Sequence, residues 1–185
     1  MKTIHTFKSN RKGLIWLLFM TAPAIVIMVL WADMIDGINI EDTMHLPAFI
    51  VLTLILLYGL SMFCADWISY VFAVHTTLEI DMQTNMFTYR HKEKTITFKP
   101  TDVAHWYIDI GFWLSRVATH HTVIVLKSGE EIFVPMWLFE GNRFVMTRNP
   151  SENTFNANYF ILSVRERMGF PKPEEGSRYN YILPK

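Results

Sequence analysis

Two long stretches without charge constrain this chain more than any other feature. Residues 13–32 (GLIWLLFMTAPAIVIMVLWA) and 46–65 (LPAFIVLTLILLYGLSMFCA) contain no Asp, Glu, Lys, Arg or His. Each is about 20 residues long, which lets a helix that rises 1.5 Å per residue cross a hydrocarbon core of about 30 Å. Tryptophans near their ends are typical of anchors at the membrane interface. We therefore predict a membrane α-hairpin, with transmembrane helices at 13–32 and 46–68.

A pair of buried core helices, or a cleaved signal peptide for the first stretch, is the alternative interpretation. Tryptophans at the ends of uncharged stretches fit a membrane interface better than a soluble core. Lys2, Lys8, Arg11 and Lys12 would suit the basic start of a signal peptide. The first stretch is too long for the apolar region of a signal peptide, and no small-residue cleavage motif follows it in VLWADM.

Basic residues set the expected orientation of the hairpin. Four of them lie in the N-terminal segment 1–12, whereas the loop 33–45 has no Lys or Arg and is acidic. Because loops rich in Lys and Arg stay on the cytoplasmic side, we predict cytoplasmic termini and an extracytoplasmic loop. The chain is thus expected to be a multi-pass protein of a bacterial inner membrane. The lack of ionisable residues within the two stretches disfavours a channel or a transporter.

Beyond residue 74 the pattern changes to an alternation of apolar and polar residues, which is typical of half-buried strands. TLEID, MFTYRH, TITFK and VAHWYIDI predict four strands in meander order. The first three would turn Leu78 and Ile80, Phe87 and Tyr89, and Ile96 and Phe98 toward a core. The fourth would place one apolar face there, formed by Ala104, Trp106, Ile108 and Ile110.

A hairpin and a helix follow. HTVIVLKSGEEIFVP (121–135) predicts two strands joined by a tight turn, and a further strand is predicted within NRFVMTRN. NTFNANYFILSVRERMG has apolar residues at helical spacing, so we predict an amphipathic helix over 153–169 that ends at its glycine. Asn153 or Thr154 would cap its N-terminus. Residues 171–185 are rich in Pro, Gly and charge and predict a tail.

A small antiparallel sheet closed by one helix, directly after a two-helix membrane hairpin, is similar to a known family. TLEIDMQTNMFTYR, TITFKPTDV and HTVIVLKSGEEIFVP resemble the bacterial pleckstrin-homology-like (PH-like) domains, several of which are tethered by such a hairpin. The resemblance covers residues 75–170. It implies an α+β domain with an antiparallel sheet or partly open barrel of about seven strands, capped by the C-terminal helix. The first hairpin turn, DMQTNM, lacks the basic pair that phosphoinositide-binding PH domains use, so inositol-lipid binding is not expected.

No motif in the chain indicates catalysis. G-x-S-x-G, G-x-G-x-x-G and the phosphate-binding loop are all absent from the sequence. The carboxylates of the second half lie at predicted turns or on outward positions of strands: Glu79, Asp81, Asp102, Asp109, Glu130 and Glu131. A non-enzymatic protein without a cofactor is therefore expected.

Metal, thiol and nucleic-acid chemistry are also disfavoured. His105, His120 and His121 could suggest a zinc site, but their spacing matches no ligand motif. The single cysteine, Cys64, excludes an internal disulfide and is expected to be a buried, unreactive thiol. Basic and acidic residues number 17 each, so the chain as a whole has no positive field to attract nucleic acid.

Two groups of residues are candidates for binding. Arg90, Lys92 and Lys94 form a basic run at the second predicted turn, which would either contact an anionic membrane surface or remain solvated. Trp113 in GFWLSR and Trp137 in PMWLFEG flank predicted loops. An exposed ring there would bind a partner or enter the lipid interface, and core packing is the alternative.

Together these features predict a non-enzymatic binding or scaffold protein that presents a PH-like domain at the cytoplasmic membrane surface. Its helices would contact the lipid bilayer, and its domain would bind a protein partner or a second copy of the chain. A membrane enzyme is the alternative, with a site between hairpin and sheet where Asp66, His75 and Arg116 are the candidate polar residues. An accessory subunit of a membrane complex fits the same sequence.

Overall fold

The computed structural model describes residues 3–37, 46–110, 120–142 and 155–171. A short strand precedes the first apolar helix, and a second helix leads into the remaining strands. In chain order the elements are β1 (Ile4–Ser9), α1 (Arg11–Gly37), α2 (Leu46–Val74), β2 (Thr76–Asp81), β3 (Met86–His91), β4 (Lys94–Phe98), β5 (Val103–Ile110), β6 (His120–Leu126), β7 (Glu131–Val134), β8 (Leu138–Glu140) and α3 (Ala157–Met168). The fold is α+β, with an N-terminal apolar helix, antiparallel sheets and a C-terminal helix.

The strands form two antiparallel sheets. Sheet A has five strands in the order β4-β3-β2-β1-β8, and sheet B has three in the order β5-β6-β7. Their apolar faces form one core together with α3. We call the two sheets and α3 the β domain, and α1 with α2 the helical pair.

Strand β1 differs from the expected division of the chain. Residues 1–12 were expected to be a basic segment outside the β domain, which was expected to span 75–170. Instead β1 pairs along its length with β2, and Phe7, fully buried, lies opposite Leu78. Its other edge pairs with β8. The local pattern of IHTFKS does not reveal this strand, because its partners lie about 70 and 130 residues later in the chain.

Both helices are longer than predicted, with 27 residues in α1 and 29 in α2. Among the described residues, Arg11–Asp33 is the one helical segment long and apolar enough to cross a membrane. The apolar stretch found in α2, Phe49–Leu60, is too short for that. Length and composition thus support the first predicted transmembrane helix, and they do not support the second.

The first three strands after α2 follow the predicted alternation. Leu78 and Ile80 of β2, Phe87 and Tyr89 of β3, and Ile96 and Phe98 of β4 are all buried, which confirms the predicted inward face. Between them, residues such as Arg90 and Thr97 are exposed. A period of two along each strand therefore holds through sheet A.

The predicted four-strand meander is wrong at its last step, because β5 belongs to sheet B. The chain leaves β4 through a single 3₁₀ turn at Pro100–Asp102, where the Asp102 carboxylate accepts a hydrogen bond from Lys99 N at 2.8 Å. An irregularity in the ladder between Val103 and His105 then shifts the facing of β5. Val103 is buried, and Ala104, predicted inward, is exposed. Trp106 lies in the core as expected.

The hairpin predicted at 121–135 is confirmed as β6 and β7. In the turn between them, Gly129 has a φ of +88°, a left-handed conformation that glycine adopts without steric cost. Pro135 follows the last residue of β7. Strand β8 was not expected. Most of the strand predicted within NRFVMTRN lies outside the described residues, as do 111–119, 143–154 and 172–185.

Helix α3 confirms the predicted C-terminal helix and closes the core. Its N-cap is Asn156, whose side chain accepts from Asn158 N at 3.0 Å, whereas Asn153 and Thr154 lie outside the described residues. Gly169 ends it in a left-handed conformation. Phe160 packs on Phe7 of sheet A with ring centroids 5.2 Å apart.

The other side of α3 is hydrogen bonded to sheet B. The Asn158 side chain accepts from Thr122 N at 2.8 Å and donates to Pro135 O at 3.3 Å, and the Asn156 side chain donates to Met136 O. After the helix, Pro171 O accepts from Trp106 Nε1 at 2.7 Å. The helix therefore holds the two sheets together.

Candidate functional site at the junction of helices and sheets

The junction between the helical pair and the β domain is direct on both sides. One residue, Asn10, separates β1 from α1, and one residue, His75, separates α2 from β2. Because β1 and β2 are paired neighbours, with Lys8 opposite Thr77, both helices leave sheet A from the same end. We call this the junction end of sheet A.

Asn10 joins three parts of the chain at the junction. Its side-chain oxygen accepts from Lys12 N at 2.9 Å, which is the geometry of a helix N-cap. Its backbone oxygen accepts from the Tyr70 hydroxyl of α2 at 3.3 Å. Its side-chain amide nitrogen, Nδ2, donates to Gly141 O at 3.4 Å. An Asn before a helix is a readable cap signal, but its contacts with α2 and the turn after β8 are tertiary.

Trp137 lies at the centre of the junction and is fully buried. Its ring contacts Trp16 of α1 at 5.9 Å and meets Tyr70 of α2 edge-on at 5.8 Å. The structure therefore contradicts the prediction of Trp137 as an exposed anchor for a partner or for lipid. The position next to a loop suggested exposure, whereas helices more than 60 residues earlier in the sequence cover the ring.

A second contact ties α2 to both sheets. The Phe72 ring stacks on His91 of β3 at 4.1 Å and meets Phe133 of β7 edge-on at 4.9 Å. Thr76 Oγ1 lies 2.8 Å from Phe72 O and 2.8 Å from His91 Nδ1. Burial, followed by the nearby charges of Lys92 and His75, lowers the pKa of His91 below its usual 6.5. The last turn of α2 is thus packed into the β domain.

The three residues of the basic run lie at or beside the turn between β3 and β4, at the junction end. Arg90 forms an ion pair with Glu79 at 3.5 Å, and Lys94 forms one with Glu130 at 3.2 Å. Lys92 has a φ of +53° in the turn, and its backbone N–H donates to His75 O at 3.1 Å. The sequence indicated a run of three cations, and the structure balances two of them with carboxylates.

Two of the three candidate polar residues of an enzyme site, Asp66 and His75, lie apart. Asp66 is buried, and its Oδ1 has no hydrogen-bond partner in the described part of the chain. His75 is exposed. From Asp66 to His75 the chain advances about 13 Å at 1.5 Å per helical residue. Trp113 and Arg116 lie outside the described residues.

The predicted carboxylates mostly stabilise local structure. The Asp81 carboxylate accepts from Thr84 Oγ1 at 2.7 Å and from Gln83 N at 2.9 Å, and these bonds lower the pKa of Asp81. Asp102 closes the 3₁₀ turn, and Glu79 and Glu130 form the two ion pairs described above. Glu131 is exposed, and the side chain of Asp109 lies outside the described part.

The remaining sulfur and imidazole groups form no metal site in the described ranges. His121 packs on Phe133 at 4.4 Å, His105 is half-buried on β5, and the side chain of His120 is not among those described. Cys64 is exposed on α2, which corrects the expectation of a buried thiol. An exposed position on the apolar face of α2 is expected if that face contacts lipid.

The residues of the candidate site that the sequence interpretation missed are those of the junction, Asn10, Tyr70 and Phe72. Together with Trp137 they fix the orientation of the β domain on the helical pair. Comparison with known proteins found no match to the chain among family models, curated proteins or solved structures.

Proposed function

We propose that this chain is a membrane-anchored, non-enzymatic binding or scaffold protein, which holds its β domain in a fixed orientation at the cytoplasmic surface of the inner membrane. One observation carries the proposal: β1 and β2 pair with each other although the whole helical pair lies between them in the sequence.

That pairing bears on the number of membrane crossings. If α1 crosses the bilayer, β1 and β2 are on opposite sides unless the chain crosses again. The β1–β2 ladder requires β2 to lie on the side of β1. We therefore propose that α2, the one described helix between α1 and β2, makes the return crossing with its 29 residues, of which Phe49–Leu60 are the apolar stretch.

Cleavage of α1 as a signal peptide would also remove β1 from between β2 and β8 in sheet A, so the anchor is retained in this proposal.

The surface of the helical pair supports a lipid environment. Phe19 of α1 is 74% exposed, and Ile55 of α2 is 62% exposed. An apolar surface this extensive is unusual in water and is ordinary in a bilayer. Other exposed apolar residues along the two helices include Ile15, Leu18, Ile25, Val26, Ile27, Val29, Leu30, Ile50, Val51, Leu52, Leu54 and Leu57.

The junction makes the anchor a rigid support rather than a flexible tether. No linker separates helices from strands, and Asn10, Tyr70 and Trp137 bridge the two parts. Membrane anchoring raises the effective concentration of the domain for a partner in the same membrane. A fixed orientation further restricts which face of the domain a partner can reach.

A PH-like identity for the β domain is part of this proposal. Its support is the meander of β1 to β4, the separate meander of β5 to β7, and the C-terminal helix packed between the sheets. The helical pair then interrupts such a domain after its first strand. The partner we propose is a protein or a second copy of the chain, with Trp113 as a contact residue.

Cysteine labelling tests the two crossings. In a Cys64→Ser background, Asp33→Cys and Lys99→Cys are exposed positions at the two ends of the molecule. A membrane-impermeant maleimide should label Asp33→Cys in right-side-out vesicles and Lys99→Cys only in inverted vesicles. Labelling of both positions from the same side would refute the hairpin that crosses twice.

Cross-linking in native membranes, followed by mass spectrometry, tests the binding role. The full chain is compared with Trp113→Ala, and with Trp31→Ala as a matched loss of one tryptophan from the helical pair. A partner or a second copy recovered with the wild type and the Trp31 variant, and lost with the Trp113 variant, supports the assignment. Equal recovery of the partner with all three chains would show that Trp113 is not a contact residue.

A further inference from the structure

We propose that the junction end of sheet A binds the anionic headgroups of phospholipids. This inference rests on the proposed membrane anchoring and adds the class of ligand. The binding residues are Lys8, Arg11, Lys12, Arg90 and Lys92, which we call the headgroup cluster. The sequence separates them into two groups about 80 residues apart, and the β1–β2–β3 pairing brings the groups together.

Three neighbouring strands place Lys8 and Arg90 in one row. Lys8 lies opposite Thr77, and Thr77 lies opposite Arg90, so all three side chains are on the same face of sheet A. This is the outer face, because Phe7 and Leu78 are buried on the other. At about 5 Å per cross-strand pair, the stems of Lys8 and Arg90 are about 10 Å apart.

The other three cations lie next to this row. Arg11 and Lys12 form the first turn of α1, two and three residues beyond the end of β1. Lys92 is held in its turn by the hydrogen bond from its N–H to His75 O, one residue beyond the end of α2. All five side chains of the headgroup cluster are exposed.

The local charge is positive although the whole chain is neutral. Arg90 shares its charge with Glu79, and we leave Lys94 out of the cluster because Glu130 lies 3.2 Å from it. Among the described residues, Lys8, Arg11, Lys12 and Lys92 take part in no ion pair. Glu93 is the acidic residue of the same turn. Although acidic and basic residues are equal in number over the whole chain, positive charge is therefore concentrated at the junction end of sheet A.

An apolar stripe reaches this basic end along α2. Ile68, Val71 and Val74 recur at a spacing of three on the last turns of the helix and are 71%, 56% and 49% exposed. Val74 is separated from β2 by His75 alone. A surface that changes from apolar to basic over one residue matches the boundary between acyl chains and headgroups, which favours a lipid over a soluble anion.

The expected strength follows from the number of charges. A basic residue at an anionic membrane surface contributes about 1 kcal/mol, or about a fivefold change in binding per cation removed. The contribution should fall as salt is raised, because these side chains are exposed.

The test uses the full chain in neutral detergent with a mixture of phosphatidylglycerol and phosphatidylcholine, and counts retained lipids by native mass spectrometry. The variant is Lys8→Gln with Lys92→Gln. The control is Lys99→Gln with Lys127→Gln, which removes the same charge from exposed lysines beside Asp102, at the other end of sheet A. We expect preferential retention of phosphatidylglycerol by the wild type and the control, and a loss of roughly 25-fold in the first variant.

Three results would overturn the inference. The first is equal retention of the two lipids by the wild type. The second is an equal loss in both double variants, which would show a general effect of net charge. The third is displacement of phosphatidylglycerol by excess inorganic phosphate at constant ionic strength, which would assign the cluster to a free anion. If maleimide labelling has placed both helices across the membrane, each of these results leaves the anchoring proposal intact.

Discussion

The helical pair and the β domain use the same apolar residues in opposite ways. Phe7 of β1 is fully buried and Phe19 of α1 is 74% exposed, although a single residue, Asn10, separates β1 from α1. In the β domain, large apolar side chains face one another across two sheets and α3. Along the helices they face outward. Under the proposed anchoring, the two regions are adapted to two solvents, water for the β domain and lipid for the helical pair.

The junction is where these two patterns meet. Trp16 and Leu17 of α1 and Tyr70 and Ala73 of α2 turn inward and join the core of the β domain, while their helical neighbours remain exposed. Stability of the β domain should therefore depend on residues before, within and after the helices. Substitutions on the two sides of the junction separate that dependence from the behaviour of the exposed apolar surface of the helices.

The largest effect is expected from Phe7→Ala. Deleting a buried phenylalanine side chain costs about 3–5 kcal/mol, through lost burial and the cavity that remains. Phe19→Ala makes the same chemical change on the exposed face of α1 and should alter the free energy of unfolding of the β domain by less than about 0.5 kcal/mol. Denaturant unfolding of both full-length variants in detergent, followed by tryptophan fluorescence, measures the difference. Equal effects would mean that β1 is not part of the domain core.

A smaller effect is expected from Asn158→Ala, which tests the attachment of α3 to sheet B. The change leaves Thr122 N–H and Pro135 C=O without their side-chain partner in a buried site, at a cost of about 2–4 kcal/mol in total. Ser163→Ala, at an exposed position of the same helix, is the control. The free energies of unfolding are compared by the same denaturant method. A loss below that of the serine control would contradict the role of Asn158.

Next in size is Asn10→Ala at the junction itself. Removal of an N-cap side chain costs about 1 kcal/mol, and here the bond to Gly141 O is lost as well. The diagnostic readout is hydrogen exchange at the start of α1 and in the turn after β8, which should quicken together. Thr97→Ala on the outer face of sheet A is the control. Faster exchange in α1 alone would show that Asn10 acts only as a cap.

The smallest effect is the pH dependence contributed by His91. Because the pKa of His91 is lowered in the folded chain, the unfolded chain takes up the proton first as the pH falls. Stability contributed by the neutral ring is therefore present above pH 6.5 and decreases as the pH falls below it. His91→Gln should flatten this part of the stability profile, measured as the free energy of unfolding against pH. An unchanged slope in the His91 variant would contradict this assignment.

Local patterns predicted those parts of the fold whose cause is local. The alternation in TLEID, MFTYRH and TITFK gave the correct buried face, and Gly129 and Gly169 lie at the turn and the helix end that they predicted. Errors arose where a distant segment decides the outcome. The ladder irregularity in β5 exposes Ala104, a shift in register that alternation alone does not encode.

The candidate site was less predictable than the fold. A tryptophan beside a loop is compatible with exposure or burial, and for Trp137 the contacts with Trp16 and Tyr70 decide for burial. The basic run at 90–94 was readable as a charge pattern. Its partners were not, because Glu130 approaches Lys94 from another hairpin of the fold.

The sequence by itself determined that this chain has membrane-grade apolar segments followed by half-buried strands and an amphipathic helix, since hydrophobic periodicity is a property of neighbouring residues. Only the tertiary structure decided that six residues before the first helix complete the sheet that begins after the second. Strand pairing depends on which segments meet in space. Here 66 residues lie between Ser9, the end of β1, and Thr76, the start of β2, and the helical pair returns the chain so that the two strands lie side by side.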